Sequence, residues 1–521
     1  MRLADIVVAP IALDLLLAGA ALLVFIVDLI IVPKPGKDSR PTKALGYLTS
    51  ASLVGIFVAS FFMEDMIRGE AFSGAYLGTA WTLYFKRLFL VAGVLASLGS
   101  IDYVAKHQPH RQGEYYLLLL CSLLGMTLLP GARDVLLLIV CFELMGIPLY
   151  ILATYAKNDD ETGRDRNAPE AGLKLYLIGA ASTAITLFGL SWVVGLAGST
   201  DIEVIAQVPA SPVFIVGVVM IFAGMGFKIG AVPFHMWVPD TYQGAPTPFV
   251  AFLSVAPKAA GFAALITLFH AGFASHAERW LPIILVITTV TLVAGNLMAL
   301  PQSNIKRLLA YSGVAQIGYM LMAFSTMSAY GTGMLLFYLA AYIVTNTGAF
   351  LVIQGVATST AGDDDIEDLA GLYKRSPALA LAMLLFLLSL AGIPFVAGFW
   401  GKVYIFMAVW NAGLGWMVLL GALFAVVGLF YYLGVVKAMY MTEPRDEKPV
   451  RVGPALGLSI GLCLAGVVGM GVYPSIFVDA AQEAALVFYE GPQAEETGDD
   501  AEPAEPRDIQ IRVEVDPPGE D

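Results

Sequence analysis

Lys228, Lys258 and Lys402 put ammonium groups inside long apolar runs, and Glu143 puts a carboxylate in another. A charged side chain at that depth costs roughly 2.5 to 3.5 kcal/mol on membrane-insertion scales, so each reads first as a functional residue. Lys228 follows the stretch Pro212 to Phe227, in Gly226-Phe227-Lys228-Ile229-Gly230-Ala231-Val232-Pro233-Phe234-His235. Glu143 sits in Val140-Cys141-Phe142-Glu143-Leu144-Met145. Alone in an apolar span a carboxylate is driven to its neutral form, whereas an ammonium within about 4 to 6 Å lets both groups stay charged. Lys228 is the candidate partner. Such a pair is either a switch, broken when a proton or a nearby charge moves, or a static ion pair locking two helices.

Lys258 follows Ser254-Val255-Ala256-Pro257, near the centre of its span. Burial brings the charged and neutral forms of a lysine close in energy, which suits it to loading and releasing a proton. Pro257 removes a backbone donor and kinks the helix, which frees a carbonyl for water or for the lysine. Lys402 lies just beyond a second interruption, Ala391-Gly392-Ile393-Pro394, as Lys228 lies just before Gly230-Ala231-Val232-Pro233. His235, beside the Pro233 break, can pass protons between waters or satisfy a freed carbonyl. Lys174 is a relay or a lysine snorkelling to the interface, and Lys437 is expected to snorkel. Asp14 is expected to meet another subunit and Asp28 to reach the interface. Lys306 and Arg307, at a helix start, are read as topology signals.

The elements that must position these residues are membrane helices. Of 521 residues, 58% are hydrophobic and 14% charged, with a mean hydropathy of +0.76. Apolar runs of 18 or more residues, each able to cross a hydrocarbon core of about 30 Å, recur along the chain. They predict fourteen spans, at 8–32, 42–63, 82–104, 114–130, 133–156, 168–197, 211–237, 246–271, 280–300, 303–325, 328–358, 376–410, 414–441 and 452–474. The first is too long for a signal-peptide core, contains acids and lacks a cleavage site, so it reads as a retained helix. With the loop after the first span inside, short inner loops carry sixteen Lys and Arg and outer ones six, the latter being Arg2, Arg68, Lys86, Arg87, Arg133 and Arg279. That bias predicts both termini outside.

Residues 490–521 hold twelve acids against two arginines and supply −10 of the net −13. So polar a tail cannot bury enough surface to fold alone. Residues 475–489 form an amphipathic segment expected at the interface. Cys121, Cys141 and Cys463 lack metal or disulfide spacing and read as apolar filler. Gly224-Met225-Gly226 follows no strand, and no P-loop is present, so neither nucleotide nor nucleic acid is expected to bind.

The two interrupted spans are the seventh and twelfth. Corresponding breaks of this kind mark ion sites in inverted-repeat transporters, and a separation of five, being odd, inverts the second copy. The expected architecture is all-α and polytopic, with about 14 transmembrane helices and two inverted five-helix repeats, spans 4–8 and 9–13, each with a broken helix. It divides into helices 1–3 (1–109), a first repeat (110–274), a second (275–445), a last helix with its amphipathic segment (446–489) and the acidic tail (490–521).

Val232-Pro233-Phe234-His235-Met236-Trp237-Val238-Pro239-Asp240-Thr241-Tyr242-Gln243-Gly244-Ala245-Pro246 is the most specific of several signatures. The others are Phe142-Glu143-Leu144, Ala168-Pro169-Glu170-Ala171-Gly172-Leu173-Lys174, Asn304-Ile305-Lys306-Arg307-Leu308-Leu309-Ala310-Tyr311-Ser312, and Ala391-Gly392-Ile393-Pro394 with Gly401-Lys402. Together, over residues 110–445, the chain resembles the antiporter-like membrane subunits of respiratory complex I, most closely the subunit N family of bacterial NADH–quinone oxidoreductase. The Tyr-Gln-Gly-Ala-Pro stretch distinguishes it from the L and M families, and Lys402 also from M. The resemblance implies a proton-translocating subunit of a translocase in the bacterial inner membrane. Glu143 and Lys228 would be its switch pair, Lys258 the central relay lysine and Lys402 the terminal proton site. It implies other membrane-arm subunits as partners, and no redox centre or cofactor on this chain. NAD, FMN, iron–sulfur clusters and quinone belong to the parent complex. Pro257 departs from the Ser or Thr expected before the central lysine, which puts the local helix geometry in question. The rival expectations are a subunit of a multi-subunit cation/proton antiporter, a scaffold whose charges only bind neighbours and, more distantly, a membrane-bound hydrogenase subunit.

Overall fold

The computed structural model describes residues 8–31, 42–156, 167–357, 364–444 and 447–489. The acidic tail, the loop 157–166 and the cations Arg2, Lys34, Lys37, Arg40 and Arg445 lie outside them, as does Asp5.

Lipid offers the backbone no hydrogen-bond partners, so an apolar chain of this kind must satisfy its amides within helices. The main helices are α1 (Ala12–Ile31), α2 (Ala44–Phe62), α3 (Ala80–His107), α4 (Gln112–Leu128), α5 (Val135–Ala153), α6 (Ala168–Ala197), α7 (Pro212–Ile229), α8 (Trp237–Gly244) and α9 (Thr247–Leu253). They continue as α10 (Ala256–Ile266), α11 (Ala277–Ala299), α12 (Ile305–Phe324), α13 (Ala329–Ala357), α14 (Pro377–Ala391), α15 (Ala397–Asn411), α16 (Gly415–Met441), α17 (Pro454–Val472) and α18 (Pro474–Leu486). Their starts are written in the sequence: the Asp134 side chain caps α5, Ser211 caps α7 and Asn304 caps α12, each accepting from amides of the first turn. A two-stranded antiparallel hairpin, Gly69–Ala71 with Tyr76–Gly78, is the one sheet among the described residues.

Among the described residues, twelve helices are long and apolar enough to cross a membrane. The expected span 303–325 is α12, which starts with two cations. The expected span 376–410 is two shorter helices, α14 and α15, separated at the Gly392–Val396 break. Two spans are buried through their apolar length, Thr247–Gly272 and Ala329–Ala357, and so form the centre of the bundle. Lys258 lies on the first. Pro257 occupies the second position of α10, where its missing N–H breaks no bond, and the helix is interrupted just before it at Ser254 and Val255. The kink read from Pro257 is therefore a short break between α9 and α10.

Two readings of intramembrane charge are corrected. Lys86 is no outer-loop cation: it lies within α3, 0% exposed, with Nζ bonded to Asp14, itself 3% exposed, and to the Pro10 carbonyl at 3.2 Å. Asp14 is therefore spent inside the chain rather than on another subunit. The physical reason is mutual: each buried charge would be prohibitive without the other. The amphipathic segment packs one face on the bundle. Its helix α18 buries Ala481, Ala484 and Ala485, and the following turn sets Phe488 edge-on to Trp81 and bonds Tyr489 Oη to His270 Nδ1 at 2.7 Å.

Candidate functional site

Both interrupted helices end in the same way. Gly230, at φ +83°, donates to Phe227 O at 3.0 Å while Ala231 donates to Gly226 O at 2.8 Å. Gly392, at φ +86°, donates to Ser389 O at 3.0 Å while Ile393 donates to Leu388 O at 3.0 Å. This left-handed cap needs glycine, and it stops the helix inside the protein while leaving the last carbonyls free. The Phe227 carbonyl is also taken by Trp237 Nε1 at 3.0 Å, which ties α8 to the end of α7.

Lys228 stands in the last turn of α7, half-buried. Its Nζ donates to Tyr150 Oη at 3.3 Å and lies 5.8, 5.8 and 6.0 Å from the ring centroids of Phe142, Tyr150 and Phe227. No ion pair within 4.0 Å joins it to Glu143 among the described residues. Glu143 instead accepts from Thr183 Oγ1 on α6 at 2.9 Å. Phe142 and Gly146 lie on the side of α5 that meets Lys228, while Tyr150 lies two turns beyond Glu143 on nearly the same face; the ammonium meets the tyrosine and the carboxylate turns to α6. A Cβ at Gly146 would lie 3.4 Å from Lys228 Nζ, so glycine there leaves room for the ammonium.

Lys258 is 0% exposed, and its Nζ has no hydrogen-bond partner. The rings of Tyr242 and Tyr342 lie 5.5 and 6.0 Å away, and a Cβ at Gly313 would come within 3.0 Å of both Lys258 Nζ and Tyr342 Oη. Tyr242 Oη, Tyr342 Oη and Asn346 Oδ1 are likewise buried without partners. Polar atoms this deep are ordinarily hydrogen-bonded, and water is the partner that suits these four.

Lys402, at the start of α15, is buried and donates to the freed carbonyls of Leu390 at 2.8 Å and Ala391 at 3.0 Å, the negative end of α14. Leu390 O also accepts from Gln316 Nε2 at 3.0 Å. Gln316 reaches Tyr432 Oη at 3.2 Å and accepts from Tyr338 Oη, and Tyr432 is bonded in turn to Ser312. Ser312 adjoins Gly313, which faces Lys258. A bonded line of Ser312, Tyr432 and Gln316 thus runs along α12 to the Leu390 carbonyl, which accepts from both Gln316 and Lys402. Reasoning from sequence missed Ser312, Gln316, Tyr338, Tyr342 and Tyr432. The signal for four of them was a four-residue spacing within a helix, Ser312 with Gln316 and Tyr338 with Tyr342.

His235 is buried in the break between α7 and α8, with its Nδ1 unpartnered and its ring 6.4 Å from that of Tyr311. Lys174 is at the rim, 41% exposed, in ion pairs at 2.8 Å with both Glu170 and Asp240. Arg307 Nη1 donates to Asp240 Oδ1 at 2.7 Å and to Gln243 Oε1 at 3.2 Å. Lys306, buried, pairs with Asp364 at 2.9 Å. Both cations at the start of α12 therefore hold tertiary structure together and are more than topology signals. Burial favours the neutral acid at Asp240, but hydrogen bonds from Lys174 and Arg307 outweigh it and hold its carboxyl below the usual range. A cavity of about 140 Å³ opens here, lined by Asn167, Glu170, Lys174, Asp240 and Gln243 among others.

Residues 132–428 match the family described as NADH:quinone oxidoreductase/Mrp antiporter, TM. The chain is 42% identical over 460 residues to NADH-quinone oxidoreductase subunit N of Moorella thermoacetica, covering 87% of this chain and 94% of that one. It is likewise 42% identical over 455 residues to the subunit N of Heliobacterium modesticaldum, at 87% and 94% coverage. Among solved structures, a chain of respiratory complex I from Thermus thermophilus with bound aureothin superimposes with a TM-score of 0.75 at 30% identity, covering 90% of this chain and 99% of that one. A chain of the Mrp complex from a Dietzia species gives a TM-score of 0.80 at 18% identity, covering 92% and 98%, a likeness of fold alone.

Proposed function

The chain belongs to the NADH:quinone oxidoreductase/Mrp antiporter family of transmembrane proteins, and we propose that it is subunit N of a bacterial NADH-quinone oxidoreductase. In that role it carries protons across the membrane while electrons pass from NADH to quinone through FMN and iron–sulfur clusters held by other subunits. It binds none of those groups itself. Its partners are the other membrane-arm subunits, antiporter-like ones included. Both termini face outward, as the loop cations predict, and the two halves of the chain, 110–274 and 275–445, act as inverted repeats.

Protons are taken up from the inner side and load Lys258 through bound water. Lys228 modulates that loading. Its ammonium rests on Tyr150, and a shift toward Glu143 would draw positive charge away from the central lysine and lower the cost of protonating it. From Lys258 the proton crosses α12 along the hydroxyls of Ser312 and Tyr432, past Gln316 and Tyr338, with bound water bridging the gaps at Lys258 and at Lys402, which releases it outward. His235 and Lys174 serve the uptake side. The observation that carries this proposal is the fully buried, unpartnered Lys258, near which Ser312, Tyr432 and Gln316 form a bonded line ending on the Leu390 carbonyl that Lys402 also holds.

The test is the assembled complex in sealed vesicles, carrying Lys258→Ala or Lys402→Ala in this chain. Fewer protons moved per NADH oxidised are expected for each variant, and unchanged proton yield and NADH oxidation in both would sink the proposal. The fold likeness to the Mrp complex favours a second reading, a cation/proton antiporter subunit. Purification separates the two, since co-isolation with flavin and iron–sulfur subunits supports the first and their absence the second.

A further inference from the structure

Asp240 lies where three helices meet, and its two oxygens are claimed by different ones. Oδ2 takes Lys174 of α6 at 2.8 Å, and Oδ1 takes Arg307 of α12 at 2.7 Å. Its own helix, α8, is fastened to the end of the Lys228 helix by the bond from Trp237 to Phe227 O. Lys174 is itself divided, since Glu170 holds it at the same 2.8 Å. Arg307 sits in the first turn of α12, where the Asn304 side chain accepts its backbone N–H at 3.1 Å, so a pull on its guanidinium acts on the helix start. The same helix carries Gly313 against Lys258 and Gln316 beside Lys402. Helices packed with so little room transmit displacement rather than absorb it. The polar cavity beside Glu170, Lys174 and Asp240 gives this node contact with water.

We propose that Asp240 is a positioning residue that couples the two halves of the chain, by holding Lys174 of the first half and Arg307 of the second on one carboxylate. When Lys174 swings to Glu170, Asp240 is left to Arg307 alone and draws the start of α12 toward α8. When Glu170 takes a proton from the cavity, Lys174 returns to Asp240 and the grip on Arg307 relaxes. The polar chain of α12 is thereby adjusted by the state of the uptake side. The proposal rests on the proton relay described above.

The experiment uses the assembled complex in sealed vesicles, with proton yield per NADH oxidised read beside the NADH oxidation rate and the KM for quinone. Asp240→Asn should lower the proton yield by about twofold or more, the lower edge of what a residue in a coupling network achieves, with KM unchanged. Asp240→Glu should restore most of it. A role in folding alone would reduce the amount of complex and leave the ratio intact. Lys174→Met added to Asp240→Asn should cost no more than Asp240→Asn by itself, because both act through one carboxylate. Should Asp240→Asn not assemble, Arg307→Lys decides: it keeps the charge but loses the fork to Asp240 and Gln243, and it too should lower the yield. Assembled Asp240→Asn or Arg307→Lys complexes with unaltered yield overturn the proposal. If Lys258→Ala lowers the yield while these do not, this coupling falls and the relay stands. If none of them does, the relay falls with it.

Discussion

Glycine at 313 is the smallest feature of the proposed relay and among the most exacting. Its missing side chain leaves space that Lys258 Nζ and Tyr342 Oη both border at 3.0 Å from where a Cβ would stand. Gly313→Ala must push one of two flexible tips aside, so the helix should persist while the geometry of proton transfer worsens. Overpacking of this kind costs about 1 to 3 kcal/mol, and here it should show as slower proton uptake in vesicles with near-normal assembly. The buried lysines were legible as sequence because a charge in an apolar run is conspicuous whatever surrounds it. The neutral members of the chain were not: Ser312, Gln316 and the tyrosines are ordinary helix-packing residues until the fold lines them up.

At the scale of elements, the two broken helices depend on their left-handed glycine caps, but not equally. A Cβ at Gly230 would meet Val238 Cγ2 at 3.1 Å, whereas at Gly392 it would meet Lys402 Cδ at 2.8 Å. A left-handed alanine costs about 1 to 2 kcal/mol at either position. Gly392→Ala should therefore impair proton transport more than Gly230→Ala, with similar losses of thermal stability, as thermal unfolding and proton yield measured side by side would show. The C-terminal helix offers a separate prediction. Tyr489 Oη bonds His270 at 2.7 Å and Thr332 at 2.9 Å, and Phe488 packs on Trp81. Tyr489→Phe removes hydrogen bonds worth about 0.5 to 1.5 kcal/mol each while keeping the ring, so limited proteolysis should release the C-terminal segment faster without disturbing the bundle. The breaks themselves could be read from Gly and Pro, since caps are local. The docking of α18 could not, because a small-residue face such as Ala481, Ala484 and Ala485 suits an interface and a protein interior alike.

Across the whole molecule, the Lys174, Asp240 and Arg307 clamp joins the start of α12 to α6 and α8. The Asp240 carboxyl is held below its ordinary value, so its stabilising contribution is complete above the ordinary carboxylate range and is lost only as pH falls below it, through the depressed value. Thermal stability of the complex followed against pH should show an acid-side decline that Asp240→Asn lessens, the variant being less stable at neutral pH but flatter. An equal acid dependence in both would assign the decline to other groups. The membrane class, the positions of most spans, the four intramembrane charges and the two breaks were determined by sequence alone, because insertion energy and helix capping act within a turn or a span. Tertiary structure alone decided which partner each charge meets. Glu143 turns to Thr183 rather than Lys228, Asp14 to Lys86 rather than outward, and Arg307 to Asp240. The reason is rotational: one residue turns a side chain by about 100° around its helix, and how each helix is rotated against its neighbours is set by packing the bundle as a whole.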